Sequence, residues 1–365
     1  MQRKTFLKSL GLIAGAGLVA SCKQNSVMSE EDLANRNEKY EWKIVTTWPP
    51  NFPVLGTGCL RYADLVNKMS LGQMTIKVYG GGELIPALEV FDAVSSGAAE
   101  MGHAASYYWA GKIPASQFFA SIPFGMNAQQ INAWLYSGGG IELWEELYAK
   151  YGLIPAPGGN TGVQMGGWFN RKIDSIKDFK GLKMRIPGFG SKIIERVGGS
   201  SVLAPAGELY TSLERGVIDA LEWIGPYHDY SMGFHEISKY YYAPGWHETG
   251  STLEFLFNKK AFEELPLHLQ TILKVAAGLM NIETLSEFEA KNNEYLQKII
   301  ASGKVEVLKF PKDVLDELKK ISEEEMQKLI STDSNSAKIY ASYTSFQKSI
   351  KQWSEYSEKL FYADL

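Results

Sequence analysis

Two cysteines in 365 residues leave the chain with almost no thiol chemistry. Cys22 and Cys59 cannot form a disulfide framework, and one acylated Cys22 would leave Cys59 alone. Positive charge is also scarce. Against 41 Asp and Glu stand 37 Lys and Arg, a formal net charge of −4, with no basic run interleaved with aromatics. That argues against nucleic acid as a partner. After residue 22 no apolar run is long enough to cross a bilayer. Neither a phosphate loop of the Walker type nor a Gly-x-Ser-x-Gly elbow occurs. The glycines at 80–82 and 138–140 are spaced for turns, not for a dinucleotide. The five histidines, His103, His228, His235, His247 and His268, show no His-x-x-x-His or His-Glu-x-x-His spacing. They read as polar core or surface. What remains after these absences is a binding protein rather than a catalyst.

The one apolar run is N-terminal. Arg3, Lys4 and Lys8 precede Leu10 to Ala20, a stretch too short for a membrane span, and Val19-Ala-Ser-Cys22 follows. This is the pattern of an export signal ending in a lipobox, with Cys22 as the acylated mature N-terminus. "RKTFLK" is one residue from a twin-arginine signal, so Sec and Tat export both stay open. Loss of residues 1–22 leaves 34 basic and 41 acidic residues, a net charge of −7. Residues 23–39 are polar and read as a tether between lipid and fold. The localisation expected is exported, periplasmic or extracytoplasmic, anchored through Cys22.

The composition is 45% hydrophobic and 12% aromatic, and the length suits two domains with two cores. Strand patterns at 42–48, 74–79 and 99–105 alternate with helical ones at 57–69 and 86–95. This predicts an α/β domain with a largely parallel sheet. A helical region covers 128–151. A second α/β segment follows, with strands at 164–169 and 183–186, helices at 191–197 and 208–216, and a strand leading to Trp223. The strand at 250–257 is expected to return to the first sheet. Residues 266–302 read as one helix, long enough at about 1.5 Å per residue to bridge two lobes. A short strand at 305–308 and helices at 312–331 and 336–362 complete the chain.

Arg185 sits between Met184 and Ile186 at a strand end, before a Pro-Gly break. A buried guanidinium is costly unless paired, so either the protein or a ligand supplies a carboxylate. Gln164, Glu222, Trp223 and Glu248 stand where an α/β sheet delivers side chains to a cleft at the carboxyl ends of its strands. Glu222 can be the internal partner of Arg185. Alternatively, the guanidinium holds a ligand carboxylate through two parallel hydrogen bonds. Glu222, Gln164 and a backbone carbonyl are hard oxygen donors, suited to sodium or calcium and not to zinc. A cation among them would keep two carboxylates from repelling each other.

Three separated motifs carry a resemblance. "GELIPALEVFDAVSSGAAEMGHAASYYWAGK" (82–112), "DFKGLKMRIPG" (178–188) and "ERGVIDALEWIGPYHD" (214–229) resemble the solute-binding component of TRAP (tripartite ATP-independent periplasmic) transporters, the DctP-type family. The likeness covers most of 40–330, and is greatest to the branch that binds 2-oxo and 2-hydroxy acids such as pyruvate and lactate. It implies a two-lobed, Venus-flytrap α/β fold with a long lobe-spanning helix and extra C-terminal helices. Lobe I would be 40–162 with 249–288, and lobe II 163–248 with 289–330. Residues 331–365 would form a C-terminal helix able to make a homodimer. Arg185 would take the ligand carboxylate. Gln164, Glu222 and the Trp223 carbonyl would hold a sodium or calcium ion. Phe52, Tyr107 or Tyr108, Asn160 and Glu248 would complete the pocket. The sialic-acid branch has an arginine where this chain has Gln164, and "DALEW" replaces its "D-G-x-E-N", which disfavours sugar acids. A membrane permease would read the closed surface. Three other readings stay open. The same fold could take a branched 2-oxo acid, an amino acid or an aromatic acid. A lyase or hydrolase could use Glu222 or Glu248 as base, and a tethered sensor could signal occupancy.

Overall fold

The computed structural model describes residues 38–364. The expected export signal, Cys22 and nearly all of the tether lie outside them. Two mixed sheets organise the described chain. The first runs β2 (Met74–Tyr79), β1 (Tyr40–Thr46), β3 (Met101–Ala104), β10 (Thr252–Asn258), β4 (Leu153–Asn160). β1 and β3 are parallel, with Val45 opposite Gly102. β10 returns to this sheet as expected, antiparallel to both β3 and β4, with Phe255 facing His103 on one side and Ala156 on the other.

The second sheet runs β11 (Glu306–Lys309), β9 (Tyr240–Ala243), β5 (Gly167–Phe169), β8 (Ala220–Leu221), β6 (Lys183–Arg185), β7 (Ser200–Val202). β6 is parallel to β7 and to β8, with Arg185 opposite Leu221. Each sheet has its own apolar core. Phe118, Phe119, Trp134 and Trp144 fill the first, and Phe169, Phe179, Ile193 and Leu318 the second. The fold is two-lobed.

The helix Leu267–Ala301, 35 residues long, spans both lobes. Its buried positions Leu269, Leu273, Ala276, Ala277, Met280, Thr284 and Phe288 recur at three- and four-residue steps, one stripe along the helix. Leu273 accepts a hydrogen bond from Tyr62 on the first-lobe side (3.1 Å), and Asn292 accepts one from the Tyr227 amide on the other (3.2 Å).

Some elements differ from the sequence reading. The helical region near 128–151 is two helices, Ala128–Ser137 and Gly140–Ala149, because Gly139 takes a left-handed φ of 84°. The last helix is broken into Ser334–Ser354 and Glu358–Asp364. Its first part packs into the first core, where the Tyr343 hydroxyl accepts from the Met126 amide (2.8 Å). Strands β4, β7 and β9 were not expected from pattern. Among the described residues no helix is long and apolar enough to cross a membrane.

Candidate functional site

The carboxyl ends of β6 and β8 lie side by side and each delivers a charged residue. The Glu222 amide donates to the Arg185 carbonyl (3.1 Å), which fixes the two side chains on the same edge. Arg185 is 1% exposed and Glu222 not at all. Arg185 Nη1 donates to Glu222 Oε1 and also to the Glu222 carbonyl oxygen (2.8 Å). Its guanidinium lies 5.1 Å from the centre of the Trp223 ring, a cation–π contact in a dry setting. The internal partner foreseen for Arg185 is therefore in place.

Two crossing segments bring the remaining groups. Residues 161–166 lead from β4 into β5, and 244–251 lead from β9 into β10. They are stitched together by Gln164 N to Glu248 O (3.2 Å) and Gly245 N to Gln164 O (2.8 Å). Gln164 Nε2 donates to Glu248 Oε2 (2.6 Å) and to Thr161 Oγ1 (3.1 Å). Its Oε1 is buried and meets no donor. The Ser251 hydroxyl also donates to Glu248. Asn160, at the end of β4, is fully buried and turns its Oδ1 to the Gly162 amide (2.9 Å).

The first lobe adds aromatic walls from the ends of β1 and β3. Phe52 stands 6.0 Å from Trp223, and Trp48 stands 6.4 Å from it, both edge-on. Tyr107 and Tyr108 are 4.9 Å apart and also edge-on. Burial pushes the Tyr108 hydroxyl up to about 12, with the Arg185 charge pulling against it. All nine residues singled out from the sequence (Phe52, Tyr107, Tyr108, Asn160, Gln164, Arg185, Glu222, Trp223, Glu248) thus stand in these loops and strand ends. Beyond the two tyrosines lies a cavity of about 560 Å³, bordered also by Ile186, Phe189, Leu203 and Leu329.

His247 is a site residue that pattern did not reveal. Its Nε2 is 2.9 Å from Glu222 Oε2, and it is buried. Glu222, His247 and Glu248 bring ligating atoms within 4.8 Å of one another. Only its place beside Glu248 in "GWHETG" could have drawn notice to it. Burial pushes the Glu222 carboxyl up to about 7, against the pull of Arg185. Burial, and next the Glu222 charge, push Glu248 up to about 8, while His247 is pushed down to about 4 by burial. Deep burial of this many ionisable groups is sustained only by pairing, by proton uptake or by an ion. The arrangement can hold an anion at the guanidinium and a hard cation at the oxygens. It presents no activated nucleophile.

Comparison with known proteins gives the family. A model of the bacterial extracellular solute-binding proteins, family 7 (DctP), matches residues 44–333. A monocarboxylate 2-oxoacid-binding periplasmic protein of Nostoc sp. is 39% identical over 361 residues, 98% of this chain and 97% of that protein. Two crystal structures of TRAP periplasmic solute-binding proteins superpose with TM-scores of 0.87, each covering 90% of this chain and 100% of the other. One, from Colwellia psychrerythraea, is 42% identical and holds calcium and pyruvate. The other, from Pseudoalteromonas atlantica, is 41% identical and holds sodium and pyruvate. With its two lobes, its bridging helix and a family model matched over most of its length, this chain belongs to the DctP family, the bacterial extracellular solute-binding proteins of TRAP transporters.

Proposed function

We propose that the protein captures a small 2-oxo monocarboxylate, pyruvate or a close relative, together with a sodium or calcium ion, and delivers it to the membrane permease of a TRAP transporter. One observation carries the reading. Arg185 and Glu222 are sealed at adjoining strand ends, Glu248 stands near Glu222, and the amide of Gln164 that donates to Glu248 keeps its oxygen buried without a donor. An amide oxygen left unpaired is costly, and a cation repays that cost.

In this reading Arg185 holds the solute carboxylate, and Glu222, Gln164 Oε1 and the Trp223 carbonyl hold the ion. The ion supplies positive charge between Glu222 and the solute, which would otherwise repel. Phe52, Trp223, Tyr107 and Tyr108 exclude water, Asn160 holds the 160–162 turn, and Glu248 fixes Gln164. A ligand of pyruvate's size is limited to about −9 kcal/mol even at the ceiling for very small ligands. It approaches that only with the arginine, the ion and lobe closure acting together.

A second reading is a 2-oxo acid with a longer or branched apolar tail, which would pass the tyrosines into the cavity that Tyr107 and Tyr108 border. Calorimetric titration with pyruvate, lactate and longer 2-oxo acids tests both, before and after chelation and with sodium or calcium restored. Binding that needs the ion is expected, with the chain-length ranking choosing the solute. No binding of any monocarboxylate with either ion overturns the proposal.

The lobes follow the sheets, with 40–162 and 249–288 in lobe I and 163–248 and 289–330 in lobe II. Anchoring through acylated Cys22 places the protein at a membrane surface. The C-terminal segment leaves Trp353, Tyr356, Phe361 and Tyr362 at least 58% exposed, which supports a homodimer formed through that segment.

Gly245 offers a local test. A Cβ there would lie 2.5 Å from the Gln164 carbonyl oxygen, which accepts the Gly245 amide. Gly245→Ala must push the Gln164 loop away. We expect about a tenfold weaker response to calcium in the pyruvate titration. Unchanged ion dependence would remove Gln164 from the ion site.

A further inference from the structure

We infer that His228 is a positioning residue that ties the solute-binding wall of one lobe to a strained turn of the other, and so holds the closed form. The inference rests on the proposed solute site, which it deepens. His228 is fully buried in the short helix Pro226–Ser231, just after β8. Its Nδ1 lies 3.2 Å from Trp223 Nε1, and its Nε2 contacts the carbonyl oxygen of Pro53 in the first lobe. An indole N–H can only donate, so Nδ1 accepts. Nε2 therefore carries the hydrogen and donates it to Pro53. The tautomer is set by the chemistry of its two partners.

The acceptor end is unusual. Val54 has φ 60° and ψ −59°, and the Leu55 amide donates to the same Pro53 oxygen at 2.6 Å. That is a γ-turn of the strained hand, centred on a β-branched residue. Asn51, on the other side of Phe52, also has a positive φ of 55°. Strain of this kind persists only where surrounding contacts over-determine it. Here the Gly56, Thr57 and Gly58 amides hold the segment within its own lobe, and a second set of contacts comes from the other lobe. The His228 ring packs 4.6 Å from Phe52, and its Nε2 reaches the strained carbonyl. Phe288 of the long helix backs the imidazole at 5.0 Å.

The connection runs from the ligand outward. Arg185 lies over Trp223, Trp223 donates to His228, and His228 donates to Pro53. A solute seated on Arg185 and Trp223 orders the indole, which sets the imidazole against the turn. When the lobes part the turn loses the His228 donor, keeps only the Leu55 amide and can relax, so the strain assists release.

The test is His228→Phe in the full chain, with His228→Gln as the conservative variant. Glutamine can accept from Trp223 through its oxygen and donate to Pro53 through its nitrogen. Stopped-flow binding of pyruvate with calcium separates the rate constants. Inter-lobe distance is read in parallel from spin labels at Lys77→Cys and Lys309→Cys, both exposed, with Cys22→Ser. For His228→Phe we expect release about tenfold faster with association within about twofold, and a broader, longer distance distribution. His228→Gln should recover most of both. A residue that merely packed would change neither the release-to-association split nor the glutamine rescue. Unchanged release, or loss carried by association alone, overturns the latch. If the parent protein binds no pyruvate, the solute reading fails. The distance distribution then decides alone: broadening supports the latch, and no change overturns it.

Discussion

Arg185→Lys is expected to weaken binding of a 2-oxo monocarboxylate by about a hundredfold while leaving the fold cooperative. The arginine satisfies several partners at once. It serves the Glu222 carboxylate and the Glu222 carbonyl through Nη1, and contacts the Ala204 carbonyl through Nε at 3.4 Å. Its guanidinium carbon lies over the Trp223 ring. Lysine brings the charge but a single nitrogen, and no planar fork to meet a carboxylate with two bonds. Charge-assisted hydrogen bonds are worth about 1.5–3 kcal/mol each, and about 1.4 kcal/mol is tenfold in affinity. One or two lost contacts therefore give the expected drop. Glu222 would still face a cation, so the pair is weakened and not orphaned. Arg185→Ala is the instructive contrast. It strands a buried carboxylate, which costs roughly 3–5 kcal/mol, and thermal unfolding should then fall together with binding. Calorimetry and melting curves on both variants separate recognition from stability. Undiminished affinity in the lysine variant would remove Arg185 from the site.

Much of the candidate site was legible because charge stands out against apolar sequence. Arg185 and Glu222 interrupt apolar runs at strand ends, and a sheet has few uses for a charge there except pairing or binding. Gln164 was read as the first residue of a strand, which the structure begins at Gly167, and Glu248 as preceding one, which it does. The histidines were not legible. His247 meets Glu222 from 25 positions away and His228 meets Pro53 from 175 away. No local spacing carries such information. The strands that escaped notice have local causes too. β4 reads "LIPAPGGN", whose prolines and glycines look like a loop. It forms because β10 supplies a partner on one side, and Gly158 leaves room for Phe255, whose ring would lie 2.3 Å from a Cβ at that position. β9 reads "YYYA", without alternation, because it pairs on both edges with β5 and β11. The long helix was legible because its stripe repeats over many turns.

A second large effect concerns stability and falls on a residue outside the nine of the candidate site. Glu254 is fully buried in β10, where its Oε1 accepts from Trp109 Nε1 at 2.6 Å and from the Tyr148 hydroxyl at 3.5 Å. Its Oε2 is buried without a partner. Burial pushes the carboxyl from 4.5 up to about 8, with the Trp109 and Tyr148 hydrogen bonds pulling the other way. The folded protein therefore keeps this proton where the unfolded chain has lost it. Its contribution is whole below about pH 4.5, falls as pH rises towards about 8, and is flat above that. Glu254→Gln keeps the shape and the acceptor for Trp109 and has no proton to lose. A tenfold difference in proton affinity between folded and unfolded chain is worth about 1.4 kcal/mol, so at about pH 9 the variant should exceed the parent by roughly 3–5 kcal/mol. Near pH 4.5 the two should differ little. Urea unfolding of both proteins between about pH 5 and pH 9 isolates the effect, because other groups titrate equally in each. A constant difference across the range would mean that Glu254 is ionised in the fold. Solute affinity is the internal control. Trp109 follows Tyr108 in the chain and keeps its hydrogen bond in the variant, so the tyrosine wall should stand and pyruvate should bind as before.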